Sequence, residues 1–227
     1  ALHQNDEKTS TACPSIAQWQ KAFEGADEIY VITITSVLSG SYNSAVQAAS
    51  LYREDHPETK IHVIDSLSAG PEMELIIDKL KELIDAGLNF DEICAKINAY
   101  KEKTHLNFAL ESLDNLAKNG RISPAVAKVA KMLKIRIIGR PDDGKLTPIG
   151  KARGAKKTIS YLIKDMEEHG FSNGRVIIAH ILNEEGANNL KQTILDKHPE
   201  ASVEIRNARG LCTYYAQKGG LMVGYEA

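Results

Sequence analysis

The polar residues whose types and spacing best suit ligand binding lie in the segment TSVLSGSYNSA, residues 35–45. A turn that contains glycine and leads into a helix offers backbone amides without an intrahelical partner, and these amides attract anions. Ser36, Ser39 and Gly40 occupy such a turn, so we expect it to hold a negatively charged group. The alternative is that Ser39 or Ser41 only caps the following helix, which is a common role for serine.

The sequence lacks the patterns of several common catalytic and cofactor sites. It contains no GxSxG, GxGxxG or GxxxxGK[ST] motif, and Ser41 has no evident histidine and aspartate partners, which argues against a serine hydrolase and a phosphate-binding loop. We expect no cofactor and no metal, because Asp142 and Asp143 suit a hairpin turn and have no third carboxylate nearby in sequence. His105 and His180 lie in or beside apolar strands and are interpreted as core residues.

Composition and charge exclude further classes of protein. The 227 residues carry a formal net charge of −2, which provides no basic field for nucleic acid, and no apolar run is long enough for membrane insertion. The first ten residues lack the charged-then-apolar order of a signal peptide, so we expect a cytoplasmic location. Cys13, Cys94 and Cys212 are odd in number and far apart, which suggests neither a disulfide framework nor a zinc site. Cys94 is interpreted as a small core residue.

The elements around the serine-rich turn predict a parallel α/β sheet. Residues 28–35 form a continuous apolar and β-branched run, the stretch after the turn is alanine-rich, and residues 61–66 form a second such run. Strand, helix and strand in this order make a βαβ unit, whose parallel strands are covered on both faces. Ligands in such sheets bind outside the carboxyl ends of the strands, which is where the turn lies.

The pattern changes near residue 100, and the second half predicts local antiparallel pairing. A helix from Pro71 to Gly87 and a second helix close the first half. We therefore expect two domains: residues 1–100 as a three-layer α/β domain with a parallel sheet, and residues 101–227 as a mixed sheet with helices. The elements expected in the second domain are a strand at 105–110, two short helices broken at Asn119-Gly120, a hairpin around Asp142, Asp143 and Gly144, helices near 152–169 and 184–198, and strands near 175–181, 203–208 and 220–225.

Five stretches, in order along the chain, resemble motifs of the DegV family of bacterial fatty-acid-binding proteins. TSVLSGSYNSA is similar to the family's Ser-Ser-x-Leu-Ser-Gly-Thr-Tyr-x-Ser-Ala signature. The other four are TACPS (11–15), which resembles Thr-Ser-x-Pro-Ser; VIDSLSAG (63–70), which resembles a Val-Ile-Asp-Ser strand end; NGRIS (119–123), which resembles Gly-Gly-Arg-Ile-Ser; and KARGAKK (151–157), which resembles a basic segment after the family's hairpin.

The resemblance implies a carrier protein, not an enzyme. Family members hold a long-chain fatty acid in a tunnel between two α/β domains, and the matching hydroxyls that would fix its carboxylate here are those of Thr11 and Ser39. In relatives that serve a fatty acid kinase, the arginine matching Arg121 lies near the head group, and Arg153 is a candidate for the kinase-facing surface. Hydroxyls, amides and one guanidinium bind a carboxylate without a metal.

This chain also departs from the family pattern. The family begins with a strand and an Asp-Ser-Thr segment that we do not find before TACPS, so we expect that this N-terminal segment is missing. A histidine that helps to bind the head group in the family is replaced, in our alignment, by Ala216. Two other classes of function remain open: an enzyme or sensor that binds a small carboxylated or phosphorylated metabolite at the same turn, and a protein-interaction module without a ligand.

Overall fold

The computed structural model of the protein describes residues 9–227. Residues 1–8, which include most of the stretch compared with a signal peptide, lie outside the described residues. The described helices are α1 (Ile16–Phe23), α2 (Ser41–Asp55), α3 (Pro71–Asp85), α4 (Phe90–Lys101), α5 (Asp114–Lys118), α6 (Pro124–Leu133), α7 (Ala155–Glu168), α8 (Glu184–Lys197) and α9 (Gly210–Ala216), and the strands are β1 (Glu28–Thr33), β2 (Lys60–Asp65), β3 (Thr104–Leu110), β4 (Arg136–Asp142), β5 (Lys145–Ala152), β6 (Arg175–His180), β7 (Ser202–Asn207) and β8 (Leu221–Glu226).

The first sheet is a parallel pair with helices on both faces. β1 and β2 are in register from the Glu28 and Lys60 pair to the Thr33 and Asp65 pair. On one face, α1 and α2 bury a core in which Phe23 and the alanines of α2 pack on β1. On the other face, α3 and α4 bury isoleucines and leucines against Ile64 of β2. Helices thus cover both faces of the parallel strands, which confirms the predicted three-layer arrangement. The β-branched strands need this apolar cover on both sides.

The second sheet is mixed, as predicted, and its strand order is β5-β4-β3-β8-β6-β7. All its neighbouring strands are antiparallel except β6 and β7, which are parallel. One face packs on α7 and α8, and the other packs on α5, α6 and α9. Because successive strand residues point to opposite faces, β3 sends Leu106, Phe108 and Leu110 to the α5 side.

The β4–β5 hairpin turns at the residues predicted from sequence. Asp143 and Gly144 both have positive φ, of 46° and 78°, as a two-residue type I′ turn requires. The tip of this hairpin packs on the loops that follow β1 and β2, because a Cβ atom at Gly144 would collide with Thr35 Oγ1 and lie 3.4 Å from Leu67. The hairpin therefore reaches from the second sheet to the carboxyl ends of the first.

Helix α3 joins the two sheets through its buried N-terminal turn. A Cβ atom at Gly224 of β8 would lie 2.6 Å from the backbone nitrogen of Glu72, so the helix start rests directly on this strand. Glu72 is 5% exposed and accepts hydrogen bonds from Ser68 Oγ and, at 3.0 Å, from Thr104 Oγ1 of β3. Burial raises the pKa of its carboxyl to about 7.

The domain boundary near residue 100 stays a prediction.

Three local expectations differ from the structure. The helix expected from residue 152 begins at Ala155, because β5 continues to Ala152 and Gly154 turns the chain with φ of 83°. Helix α9 was not expected from sequence. Cys94 is half-buried instead of a core residue, since it lies beside the buried Ile93 on α4.

Across residues 9–227, no helix combines the length and apolar character needed to span a membrane.

Candidate ligand-binding cavity

A cavity of about 790 Å³ lies between the loop after β1, helix α9 and the second sheet. Its volume falls within the range of small-molecule sites. Its apolar wall comes from alternate residues of β3 and from neighbouring elements, and it includes Ile34, Val37, Leu38, Leu106, Phe108, Leu110, Leu116, Leu146, Leu211, Cys212 and Met222. Among the described residues that line it, Arg121 alone carries a formal charge. The cavity therefore suits a long apolar ligand with one negative group.

The serine-rich turn forms part of the cavity wall through Ser36, Ser39, Gly40 and Ser41. Gly40 occupies the N-cap position of α2, and neither predicted serine does. The hydroxyl of Ser39 accepts a hydrogen bond from the Ser41 amide at 3.2 Å and lies 2.9 Å from the Ser41 hydroxyl. A Cβ atom at Gly40 would lie 3.3 Å from Cys13 Sγ, so the glycine permits close approach of the N-terminal segment.

Asp65 orders the loops at the carboxyl ends of β1 and β2. Its carboxylate accepts the Ser36 amide at 3.1 Å and 3.2 Å and the Leu67 amide at 3.0 Å. The Ser36 amide is thus bonded to a carboxylate, and the Ser41 amide is bonded to a hydroxyl. The turn offers fewer unpaired amides than the sequence pattern predicted, and hydroxyl groups form more of its polar surface.

Thr11 reaches the same cavity from the N-terminal segment. Its Oγ1 lies 2.8 Å from the hydroxyl of Tyr215 on α9, within hydrogen-bond distance. The adjacent Tyr214 donates to the carbonyl of Thr9 at 2.6 Å, and Asn119 Nδ2 donates to that carbonyl at 3.2 Å. Three side chains from two distant parts of the sequence therefore hold the segment that carries Thr11, one through Thr11 itself and two through Thr9.

Arg121 lies in the cavity wall next to Tyr215. Its Nε donates to the Leu38 carbonyl at 3.3 Å, and its Nη1 donates to the Asn119 carbonyl at 2.8 Å. Its guanidinium carbon lies 5.6 Å from the centre of the Tyr215 ring, a cation–π distance. These bonds use two of the five guanidinium donors, so the group is oriented and still has donors for an anion.

The structure brings together all the predicted ligand-binding residues and separates Arg153 from them. Thr11, Ser36, Ser39, Gly40 and Arg121 line the cavity. Arg153 lies instead in a crevice between β5, α6 and α7, and Lys151, Lys157 and Tyr161 also line that crevice. This position is consistent with a surface role and not with ligand contact.

Sequence reasoning missed Tyr215, which contacts both Thr11 and Arg121. The only available signal was the tyrosine pair at 214–215 beside the position compared with the family's histidine. Ala216, the residue compared with that histidine, lines the cavity. The next residue, Gln217, has a buried Nε2 atom with no hydrogen-bond partner among the described residues.

Burial shifts the pKa values of one thiol in the cavity wall, Cys212, and of one imidazole outside it, His105. Burial raises the pKa of the Cys212 thiol to about 11, so that group stays neutral near pH 7. Burial lowers the pKa of His105, which lies outside the cavity and packs 5.3 Å from the Tyr225 ring. Within the described part of the chain, no three His, Cys, Asp or Glu side chains form a group that could hold a metal ion.

The fold and the cavity define a mixed α/β protein with an apolar cavity that ends in hydroxyls and one guanidinium. The chain belongs to the DegV family, because a family model described as "Uncharacterised protein, DegV family" matches residues 1–227. A DegV domain-containing protein of Streptococcus pneumoniae is 45% identical over 226 residues, which are 99% of this chain and 80% of that protein.

Solved structures of similar proteins contain fatty acids. The Fatty Acid Kinase (Fak) B3 protein of Streptococcus pneumoniae, loaded with linoleic acid, is 45% identical with a TM-score of 0.97, and the match covers 99% of this chain and 80% of that one. A DegV family protein from Eubacterium eligens, loaded with heptadecanoic acid, is 42% identical with a TM-score of 0.96, over 100% and 82% of the two chains.

Proposed function

We propose that this chain binds one long-chain fatty acid and carries it without turning it over. The observation that carries the proposal is the cavity itself, which residues 9–227 line mainly with apolar side chains and with a single charged one, Arg121. A carboxylate loses its hydration when it enters such a cavity, so it needs charge-assisted hydrogen bonds in return. An acyl chain needs only apolar contacts, which the rest of the wall supplies.

The head group of the acid is proposed to lie among Thr11, Ser39 and Arg121. The Tyr215 side chain supports this assignment, because it lies at hydrogen-bond distance from Thr11 and at cation–π distance from Arg121. Ser36 and Gly40 shape the same end of the cavity. A ligand oxygen at this end would accept bonds from hydroxyls and a guanidinium that the protein already orients, so little side-chain entropy is lost on binding.

The acyl chain is proposed to follow β3 away from the head group. Tyr215 and Ala216 precede β8, whose first residue Leu221 pairs with Ala109 near the end of β3. From there, Leu110, Phe108 and Leu106 face the cavity in turn, and the span from first to last is about 13 Å at the usual strand rise. The fatty acids in the solved relatives support the same class of ligand.

A fatty acid kinase is the proposed partner, and Arg153 is the proposed contact. Arg153 is exposed on a basic crevice that is separate from the cavity.

The chain has Ala216 where the family pattern has a histidine, so we expect the bound acid to be a poor substrate for acyl phosphate formation. A transferring phosphoryl group adds negative charge that needs more donors than a carboxylate does. Ala216→His should raise the rate with a bacterial fatty acid kinase; full turnover by the unmodified chain would contradict this expectation.

The first test is denaturing extraction of the purified protein followed by mass spectrometry of the released acids. We expect long-chain fatty acids in near-equimolar amount. Recovery of a small carboxylated or phosphorylated metabolite would favour an enzyme or sensor, and recovery of no ligand together with no binding of added fatty acid would overturn the proposal.

The second test is substitution at the head-group end. Thr11→Val and Ser39→Ala should each weaken fatty acid binding about ten- to a hundredfold, because a hydrogen bond to a charged group contributes about 1.5–3 kcal/mol. Thr193→Val on α8 and the exposed Ser172→Ala are matched controls outside the cavity and should bind normally. Unchanged affinity in both cavity variants would show that the carboxylate lies elsewhere.

A further inference from the structure

Phe108 is the middle residue of the β3 row that lines the cavity, between Leu106 and Leu110. Its side chain is 3% exposed, so protein atoms cover nearly all of the ring, and the remaining part lies in the cavity wall. It is also the bulkiest side chain of that row. Any acyl chain that follows β3 to its far end must therefore pass this ring.

Gly139 lies directly opposite Phe108 on β4, in the antiparallel register of the two strands. A Cβ atom at Gly139 would collide with Cζ and Cε2 of the Phe108 ring and would lie 2.7 Å from the backbone oxygen of Thr147. Gly139 is not among the glycines with positive φ. The missing side chain therefore provides space for the ring and is not needed for the backbone conformation.

The space at Gly139 determines where the ring of Phe108 lies. The ring packs over the glycine on the β4 side and faces the cavity on the other side. The pairing of β4 with β5 shifts register between Ile138 and Gly139, which is a further local adjustment of the sheet at this position. A side chain at position 139 would displace the ring, and the unfilled volume available to receive it is the cavity.

We propose that the pair of Phe108 and Gly139 determines which acyl chains the cavity accepts. The ring seated over Gly139 leaves the middle of the cavity open, so chains long enough to reach Leu106 fit. A ring displaced into the cavity would stop the chain near Leu110. This inference rests on the proposed fatty acid ligand and assigns its length selectivity to one residue pair.

The main experiment compares Gly139→Ala with the double variant Gly139→Ala, Phe108→Leu. Both variants carry the new methyl group near the Thr147 oxygen, but only the single variant forces it against an aromatic ring. We expect the single variant to lose affinity for octadecanoic acid about tenfold or more while keeping its affinity for decanoic acid, and the double variant to regain octadecanoic acid. Equal losses in both variants would assign the effect to the backbone at Thr147 and overturn the inference.

A second variant keeps the inference testable if Gly139→Ala fails to fold. Phe108→Ala removes the ring and should widen the middle of the cavity, so acids with a methyl branch near the middle of the chain should bind better relative to straight-chain acids. Gly150→Ala is the matched control: its new Cβ would collide with the Tyr161 ring, which does not line the cavity, so selectivity should stay unchanged. A wild-type protein that binds fatty acids, with Phe108→Ala showing the same acid preferences, overturns the inference; a wild-type protein that binds none refutes the proposed function instead.

Discussion

The two ends of the cavity are built in different ways. The end proposed for the head group takes Thr11, Ser39, Arg121 and Tyr215 from distant parts of the chain, and each is held by hydrogen bonds or ring contacts with other residues of the protein. The end proposed for the acyl chain takes its main wall from alternate residues of the single strand β3, with Met222 of β8 beside them. Orientation at the first end depends on tertiary contacts, whereas the second follows from strand periodicity.

The difference also separates specificity from affinity. Each buried methylene contributes about 0.8 kcal/mol, and one hydrogen bond to a charged group contributes about 1.5–3 kcal/mol. Two to four methylenes therefore match one such hydrogen bond. We expect the acyl end to supply most of the binding free energy and the head-group end to fix the direction in which the acid binds.

The largest expected effect concerns the acyl end. Hexadecanoic acid has six more methylenes than decanoic acid, so it should bind roughly three thousandfold more tightly, since burying those groups contributes about 5 kcal/mol. Displacement of a fluorescent fatty acid by both acids measures the difference. Equal affinities would mean that the head group dominates, and the comparison of the two ends would then be wrong.

The second effect concerns Glu72, which bonds to Thr104 two residues before the acyl wall begins. Its pKa is raised from 4.5 to about 7, so its neutral form favours the folded state. That contribution is complete below pH 4.5 and is lost as the pH rises through 7, at a cost of about 3 kcal/mol in unfolding free energy.

Glu72→Gln should therefore remove this part of the pH dependence and raise stability at pH 8 relative to the native chain. Urea unfolding at pH 5 and pH 8 measures the change. Glu58→Gln, at an exposed carboxyl, is the control and should leave the pH dependence intact. A Glu72→Gln protein with the native pH dependence would show that Glu72 does not titrate in this range.

The third effect concerns the head-group end. Arg121→Ala should weaken binding of hexadecanoic acid about ten- to a hundredfold, because at the proposed position the carboxylate would lose the one charged side chain that the described residues place in the cavity wall. Arg121→Lys should recover part of the loss. Binding of hexadecanol, which has no charge, should change little in either variant, and an equal loss for the alcohol would indicate a packing role for Arg121.

The smallest effect on binding is expected at Arg153, outside the cavity. Arg153→Ala should change fatty acid affinity by less than about twofold, as is usual for exposed positions. With a bacterial fatty acid kinase, the same variant should form acyl phosphate more slowly at limiting kinase concentration. A variant that binds the acid weakly would place Arg153 with the head-group residues, against the present assignment.

Sequence predicted the features that depend on local pattern. The β-branched run before the serine-rich turn predicted β1, and the turn itself was correctly expected at the carboxyl end of that strand. The Asp143-Gly144 turn also followed from local residue type, because both positions need positive φ.

The missed features depend on contacts between distant residues. Tyr215 meets Thr11 across 204 positions, and no local periodicity records that contact. Helix α9 has only seven residues and no side-chain cap hydrogen bond, so its start carries no signal. By sequence, Glu72 is an ordinary acidic residue in the first turn of a helix, and its burial follows from tertiary contacts with β8 at Gly224 and with Thr104 of β3.

The central position of β8 determines when the second sheet can be completed during protein synthesis. β8 lies between β3 and β6, yet it is the last described strand along the chain. During synthesis, β3 and β6 leave the ribosome before β8, the strand that pairs with both. The contact between Thr11 and Tyr215 likewise cannot form until residue 215 has been synthesised. Pairings of such high contact order form late and slowly. The binding cavity is therefore completed only after almost all the described chain has emerged, and a nascent chain shorter than that should be unable to hold a ligand.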